Sequence, residues 1–253
     1  MGSLRGKRAL VTGAEQGIGY ATAEELIEAG CDIALHYHIG DEGPQKLAEL
    51  GKSRGQRACW LQADLTLEES AKKCVADALS FLGGLDVLVN NVGGLIARKA
   101  LADVDMKFWQ TVLDINLTTM ILVTRECGPA LWKSGSSSIV NLASLAGRKG
   151  GHAGSLVYSM TKGAVLTFTR ALAAEWGPHG VRVNAVAPGL ILGTRFHNTH
   201  TSKESAEETI KGIPLGRAGD VYDIARAIAF LASEYDGFIS GATLDINGGV
   251  YCA

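Results

Sequence analysis

The chain is expected to fold as α/β, with one doubly wound parallel sheet of about seven strands and helices on both faces. Three observations predict this. Short apolar runs alternate with longer helical stretches from one end to the other, the pattern of strand–crossover–strand units. With 253 residues, 47% of them hydrophobic, the chain can bury one large core. No proline-rich linker, low-complexity segment or internal repeat breaks the alternation, so residues 1–253 read as a single domain.

In order, strands are expected near 7–12, 32–37, 58–62, 85–89, 138–143, 181–187 and 242–246. Helices are expected near 18–29, 43–54, 67–82, 107–132, 157–176 and 221–233. The first strand is the apolar run Lys7 to Thr12, followed by glycines at 13, 17 and 19 and then by a helix to Ala29. The second, Asp32-Ile33-Ala34-Leu35-His36-Tyr37, ends at His38, and the third, Ala58–Gln62, leads to Asp64. The fourth, Leu85 to Val89, closes on Asn90 and Asn91, where turn asparagines are routine. The cluster Ser134–Ser138 is a turn into the fifth, and glycines or polar turns separate most of the rest. Arg195 to Gly212 is polar and rich in Thr and His, with helix signals at Ser202–Lys211. It reads as a substrate lid near 193–213.

In such a sheet, ligands bind beyond the carboxyl ends of the strands. Those ends carry Gly13, Asp64, Asn90, Ser144 and Pro188. A strand, a glycine turn and a helix N-terminus together make a phosphate site. Main-chain N–H groups point at the anion, the helix dipole favours negative charge, and no side chain blocks the approach. The spacing is Gly-x-x-x-Gly-x-Gly rather than Gly-x-Gly-x-x-Gly, but its place at the opening of the alternation marks a Rossmann-type nucleotide site. Tyr158 and Lys162 stand four residues apart, on one face of a helix, so a phenol and an ammonium address one substrate. The ammonium is expected to lower the phenol's pKa from about 10 towards neutrality, as general acid–base work requires. Ser144, from a separate strand end, can hold the oxygen to or from which the proton moves.

Thr12 to Gly19, Asp64, Asn90-Asn91-Val92-Gly93, Asn116, Ser144, Tyr158-x-x-x-Lys162 and Pro188-Gly189 follow one another in the order found in the short-chain dehydrogenase/reductases. The chain resembles that family over essentially its whole length, most of all the reductases of 3-oxoacyl thioesters and the related sugar and alcohol dehydrogenases. The resemblance implies a ketoreductase: reversible hydride transfer between a nicotinamide cofactor and a carbonyl or secondary alcohol. It implies that Ser144, Tyr158, Lys162 and Asn116 are catalytic. Tyr158 gives the proton, Ser144 polarises the same oxygen, and Lys162 holds the nicotinamide ribose. Asn116, its main chain bent out of helical pairing, links the lysine through water to solvent. Implied cofactor contacts are Gly13, Gln16, Gly17, Ile18 and Gly19 in the turn, His38 after the second strand, and Asp64 and Leu65 at the adenine. Asn90, Val92 and Gly93 stand beside the adenosine ribose, with Val92 where alanine is usual; Tyr158, Lys162, Pro188, Gly189 and Ile191 complete the set. A nucleotide-binding scaffold, or an epimerase or dehydratase on the same fold, would share the turn. The four catalytic residue types kept together favour hydride transfer.

An NAD-preferring enzyme places an acid at the end of the second strand for the ribose 2′-OH. Here His38 stands there, and Asp41 comes later. Gln16 and Glu15 stand before Gly17, where a base would mark NADP. The missing acid favours NADP(H) slightly over NAD(H). Tyr158 follows Ser144 by fourteen positions, one more than usual in the family, and the extra residue falls in the glycine-rich loop 145–155. Thr194 also stands one position late, so Ile191's main chain is expected to serve at the carboxamide. Two cations in that loop, Arg148 and Lys149, and Arg195 in the lid lie towards the substrate side, where His152, His197 and His200 are further candidate contacts. Leu145, Leu156, Leu190 and Phe196 offer part of an apolar bed. A full bed for a long acyl chain is not evident, so a small or medium polar carbonyl compound, such as a keto ester, keto acid, sugar derivative or 3-oxoacyl thioester, is expected over a sterol.

A net charge of −2 gives no basic footprint for nucleic acid. No apolar run approaches a membrane span and the first residues lack an apolar signal core, so a soluble cytoplasmic protein is expected. Cysteines 31, 59, 74, 127 and 252 show no Cys-x-x-Cys spacing and read as reduced, mostly buried residues. No His, Asp or Glu cluster has metal-site spacing. The resemblance implies a homotetramer, paired through the helices near 107–132 and 157–176 and through the last helix and strand. Leu166, Phe168, Leu172 and Trp176 are expected to contribute apolar surface there.

Overall fold

A computed structural model of the chain describes residues 4–194, 203–233 and 237–253. Seven strands form one parallel sheet in the order β3-β2-β1-β4-β5-β6-β7. They are β1 Arg8–Val11, β2 Asp32–Tyr37, β3 Ala58–Gln62, β4 Val87–Asn90, β5 Ser137–Leu142, β6 Val181–Pro188 and β7 Thr243–Ile246. Each lies within two residues of its expected run. The chain turns outward from β1 to β3 and then crosses back to β4, and that reversal opens a crevice at the carboxyl ends.

Strand alternation sorts the apolar side chains into two layers. Ala9 and Val11 face one side of the sheet and Leu10 the other. Over the first face lie α1 (Gly17–Glu28), α2 (Glu42–Ser53) and α9 (Val221–Ala232), which bury Leu26, Leu47 and Ile228 against Val11 and Leu35. Over the second lie α3 (Glu68–Leu82), α5 (Thr119–Ser134) and α7 (Leu156–Trp176), which bury Val75, Leu131 and Leu172 against Leu88 and Ile139. Each such aliphatic side chain contributes about 1.5–3 kcal/mol on burial. The remaining helices are α4 (Met106–Leu113), α6 (Leu145–Lys149) and α8 (Lys203–Lys211).

The single helix expected over 107–132 is interrupted. A π turn, Asp114–Thr118, separates α4 from α5. Asn116 lies in it, and its Nδ2 donates to the Val112 and Gly94 carbonyls, at 2.9 Å each, in competition with regular pairing. Residues 145–155, expected as a loop, contain α6. Ser144 caps it by accepting from the Ala146 N–H at 3.1 Å. A Cβ on Gly147 would stand 2.6 Å from the Lys162 carbonyl carbon and 2.8 Å from the Gly163 nitrogen, so α6 rests directly on the main chain of α7.

The apolar arc of α7 belongs to the core and not to the surface. Leu166, Leu172 and Trp176 are buried and Phe168 is half-buried, because α7 packs on β6 and also meets α4, α6 and the π turn. The exposed apolar side chains of α5 and α7 are instead Ile121, Trp132, Leu156 and Met160. The cysteines are free thiols. Burial pushes Cys31 and Cys74 up to about 12, while Cys252 is exposed. Among the described residues, no helix is long and apolar enough to cross a membrane, and no group of His, Cys, Asp or Glu could hold a metal ion.

Candidate active site

The carboxyl ends of the strands border a cleft of about 1620 Å³. Strand order divides it: the turns after β1 to β3 line one half, those after β5 to β7 line the other, and the segment after β4 borders both.

In the first half, Gly13 and Gly17 take φ of +67° and +60°, a region open to glycine without strain. The first turn of α1 carries no acid, so the dipole at its N-terminus favours an anion. Gln16, Gly17 and Ile18 line the cleft together with Glu15. Gly19 does not. A Cβ there would stand 2.0 Å from the Gly13 carbonyl oxygen and 2.5 Å from Asn91 Nδ2, so this glycine closes the turn from beneath. Asn91 laces the turn by donating from Nδ2 to the Thr12 and Gly13 carbonyls, at 2.9 Å each. Of the segment expected beside the ribose, Asn90 is buried, donating to Thr124 Oγ1 and Asn141 Oδ1 at 2.9 Å, whereas Asn91, Val92 and Gly93 line the cleft. Successive residues at a strand end face opposite ways, which separates the two asparagines.

Asp64 caps no helix, since α3 opens at Glu68. Its Oδ1 accepts from the Thr66 hydroxyl at 2.6 Å and the Thr66 N–H at 3.0 Å, which holds the carboxyl below the usual carboxylate range. Asp64 and Leu65 line the cleft, and His38 stands exposed at its rim. His36, by pattern only a strand residue, is also at this wall, accepting from the Gly13 N–H at 3.1 Å. The available signal was an imidazole in an otherwise apolar strand just before the cleft.

In the second half, Ser144 and Tyr158 line the cleft together, and the serine hydroxyl acts on the phenol. Lys162 Nζ lies 5.8 Å from the Tyr158 ring centroid and donates to the Leu142 carbonyl at 2.7 Å. Asn116 Oδ1 accepts from the Gly94 N–H at 3.0 Å, which ties the π turn to the segment after β4. The expected lowering of the phenol is not what this geometry produces. Burial pushes Tyr158 up to about 12 against the pull of the Ser144 hydrogen bond, and burial brings Lys162 down to about 8. Desolvation outweighs mutual attraction because the ammonium is turned to the Leu142 carbonyl.

Pro188, Gly189 and Ile191 line the cleft. Thr194, although late in the sequence, lies there too, buried, with Oγ1 donating to the Ile191 carbonyl at 3.2 Å. Arg148 is not a cleft cation. Asp245 holds it through two bonds of 3.0 Å, while Lys149 and His152 do line the cleft. The apolar bed is fuller than expected, formed by Leu95, Ile96, Ile115, Leu145, Leu190 and Ile213, whereas Leu156 borders an adjoining hollow. Of the expected lid, Ser205, Thr209 and Ile213 line the cleft. Arg195, Phe196, His197 and His200 lie outside the described residues.

An anion turn, a tethered acid and a lysine beside a serine–tyrosine pair, along one continuous cleft, fit a dinucleotide with its substrate. The family model described as enoyl-(acyl carrier protein) reductase matches residues 13–251. The 3-oxoacyl-[acyl-carrier-protein] reductase FabG of Aquifex aeolicus is 36% identical over 252 residues, covering 98% of each chain. A blue fluorescent protein from a metagenomic library, solved in complex with NADPH, superposes with a TM-score of 0.91 at 31% identity, covering 99% of this chain and 100% of that one. An NADH-dependent reductase, A1-R′, responsible for alginate metabolism, superposes with a TM-score of 0.89 at 32% identity, covering 99% of each. Likeness this broad, in sequence and in fold together, decides the matter: the chain belongs to the short-chain dehydrogenase/reductase family and is a nicotinamide-dependent oxidoreductase of carbonyl and alcohol groups.

Proposed function

We propose that the protein reduces the keto group of 3-oxoacyl thioesters and related keto esters with NADPH. The observation that carries this reading is the convergence of Ser144, Tyr158 and Lys162 on one cleft walled, beyond β4 to β7, by Leu95, Ile115, Leu145 and Ile213. A carbonyl oxygen sits on the two hydroxyls while an aliphatic chain lies along the wall.

The cofactor, when bound, supplies the hydride. Tyr158 gives the proton from its hydroxyl to the carbonyl oxygen. At neutral pH the phenol is protonated, the form that gives a proton to the carbonyl oxygen. Ser144 Oγ, fixed by the Ala146 N–H at 3.1 Å, hydrogen-bonds the same oxygen as negative charge develops there. Lys162, an ammonium below pH about 8, holds the nicotinamide ribose hydroxyls. The Asn116 side chain positions the segment after β4, and its main chain, bent in the π turn, holds the water that links Lys162 to solvent. Gly13, Gln16, Gly17 and Ile18 take the phosphates, Asp64 and Leu65 the adenine, Val92 and Gly93 the adenosine ribose, and Pro188, Gly189 and Ile191 the nicotinamide.

One structural relative is NADH-dependent and another binds NADPH, so the choice falls to the end of β2. The exposed His38 there, in place of an acid, supports NADPH. Segment 193–213 is the lid in this reading. Exposed Ile121, Leu156 and Met160 support a homotetramer, and a monomer by light scattering at micromolar concentration would overturn that part.

Steady-state NADPH oxidation with 3-oxoacyl thioesters, keto esters, keto acids, sugars and 2-enoyl thioesters tests the substrate. The highest kcat/KM is expected for the 3-oxoacyl thioesters or keto esters. Preference for sugars or for 2-enoyl thioesters refutes the proposal.

A further inference from the structure

His36, in β2, is 2% exposed and joins two turns that the sheet leaves separate. Its Nδ1 accepts from the Gly13 N–H at 3.1 Å, and its main-chain carbonyl accepts from the Ala14 N–H at 2.8 Å. The first two N–H groups of the glycine turn therefore end on one residue. At the far side of the ring, Nε2 lies 3.1 Å from the carbonyl of Ala63, the residue before Asp64.

These partners dictate the protonation of the ring. A main-chain N–H aimed at Nδ1 requires a lone pair there, and a carbonyl at Nε2 requires a proton there. The neutral Nε2–H tautomer satisfies both, and neither the other tautomer nor the imidazolium does. Burial, which lowers the imidazole to about 4, keeps the ring neutral at physiological pH.

We propose that His36 is a positioning residue for the dinucleotide, its neutral imidazole bolting the phosphate turn after β1 to the adenine-side turn after β3. The inference rests on the assignment of Gly13–Gly17 to the phosphates and Asp64–Leu65 to the adenine. Parallel strands fix the spacing of β1, β2 and β3 up to the last paired residues, Val11 with Leu35 and Tyr37 with Gln62. Beyond them the Ala14 N–H bonds His36 and the Ala63 N–H bonds Tyr37, so each turn is tied to β2 with a gap between the two. The imidazole spans that gap. Its distance from Ser144 and Tyr158 along the sheet, with β1 and β4 between, predicts an effect on cofactor grip and little on chemistry.

Two substitutions separate this role from simple filling of space. In His36→Asn, Oδ1 takes the place of Nδ1 and retains an acceptor for Gly13; in His36→Met, bulk remains and the acceptor is gone. NADPH is titrated into each protein by fluorescence, and initial rates are measured at saturating NADPH. His36→Met is expected to weaken NADPH binding about tenfold, as loss of one buried acceptor does, with kcat at saturation within about threefold of wild type. His36→Asn is expected to recover most of the loss. In the wild-type protein with NADPH bound, ring ¹⁵N shifts are expected to report the Nε2–H tautomer. Wild-type affinity in His36→Met, an Asn variant as weak as the Met variant, or an Nδ1–H or doubly protonated ring would each overturn the proposal. If His36→Met does not fold, the Asn titration and the tautomer still decide. Failure of the cofactor assignment itself would appear differently, as no NADPH binding by the wild type.

Discussion

Lys162 carries an ammonium into a site where burial brings its pKa from 10.5 to about 8. That fall corresponds to roughly 3 kcal/mol of unfavourable charge burial at neutral pH. Lys162→Met keeps the length of the side chain and removes the charge. It also removes the 2.7 Å bond to the Leu142 carbonyl, and stranding that acceptor costs about 1–2 kcal/mol. The difference leaves the variant about 1–2 kcal/mol more stable at pH 7, a rise in melting temperature of about 2–8 °C for a chain of this size. Turnover should fall by at least about a hundredfold, as with other groups that serve proton transfer. The pH dependence supplies a second reading. The folded-state pKa lies below the unfolded one, so between pH 8 and 10.5 the unfolded chain binds more protons. The penalty is complete below pH 8 and is relieved as pH rises through that window, so the advantage of the variant should shrink. Thermal melts and urea unfolding at pH 7 and pH 10 measure both effects. A lower melting temperature for Lys162→Met at pH 7, or an advantage that persists unchanged at pH 10, would refute the reasoning.

Tyr158→Phe removes the transferred proton and little else, so turnover should fall by 10²-fold or more while the NADPH dissociation constant stays within about threefold; retained activity above about a hundredth defeats the assigned role. His38→Asp should move the ratio of kcat/KM values towards NADH by supplying a ribose acceptor and repelling a 2′-phosphate, and an unchanged ratio would mean that His38 does not face the adenosine ribose. In Gly19→Ala the new Cβ, 2.0 Å from the Gly13 carbonyl oxygen, must push the turn open by about 1 Å at a cost of about 1–3 kcal/mol. Calorimetry should then show NADPH binding at least about tenfold weaker, and wild-type affinity would remove the turn from the phosphate site.

The strands were legible because a sheet covered on both faces reads as continuous apolar runs, as in Val87 to Val89. The meeting of Tyr158 and Lys162 in one cleft was legible because they are local neighbours on one helix. Features that escaped depend on contacts remote in sequence. Arg148 read as a cleft cation until Asp245, 97 positions away, claimed it. Helix α6 was hidden by Gly147, which propensity counts against a helix and which close packing on α7 requires. Asn90 and Asn91 differ by one step of strand alternation, finer than a boundary read from composition. The arc of Leu166, Leu172 and Trp176 suggested an interface because a helix packed on several neighbours is apolar over more than one stripe.

With α6 seated on the backbone of α7 at Gly147 and Gly163, Ser144 cannot travel independently of Tyr158 and Lys162. The proposed acid, oxygen binder and ammonium therefore sit on one packed unit of α6 and α7. Under the proposed function, admission of substrate and escape of product fall to the chain after β4 and β6. A step of that kind can limit turnover without altering the spacing of the reacting groups. Variation after β6 is thus free to change the speed of exchange, while variation within α6 and α7 is bound to the chemistry.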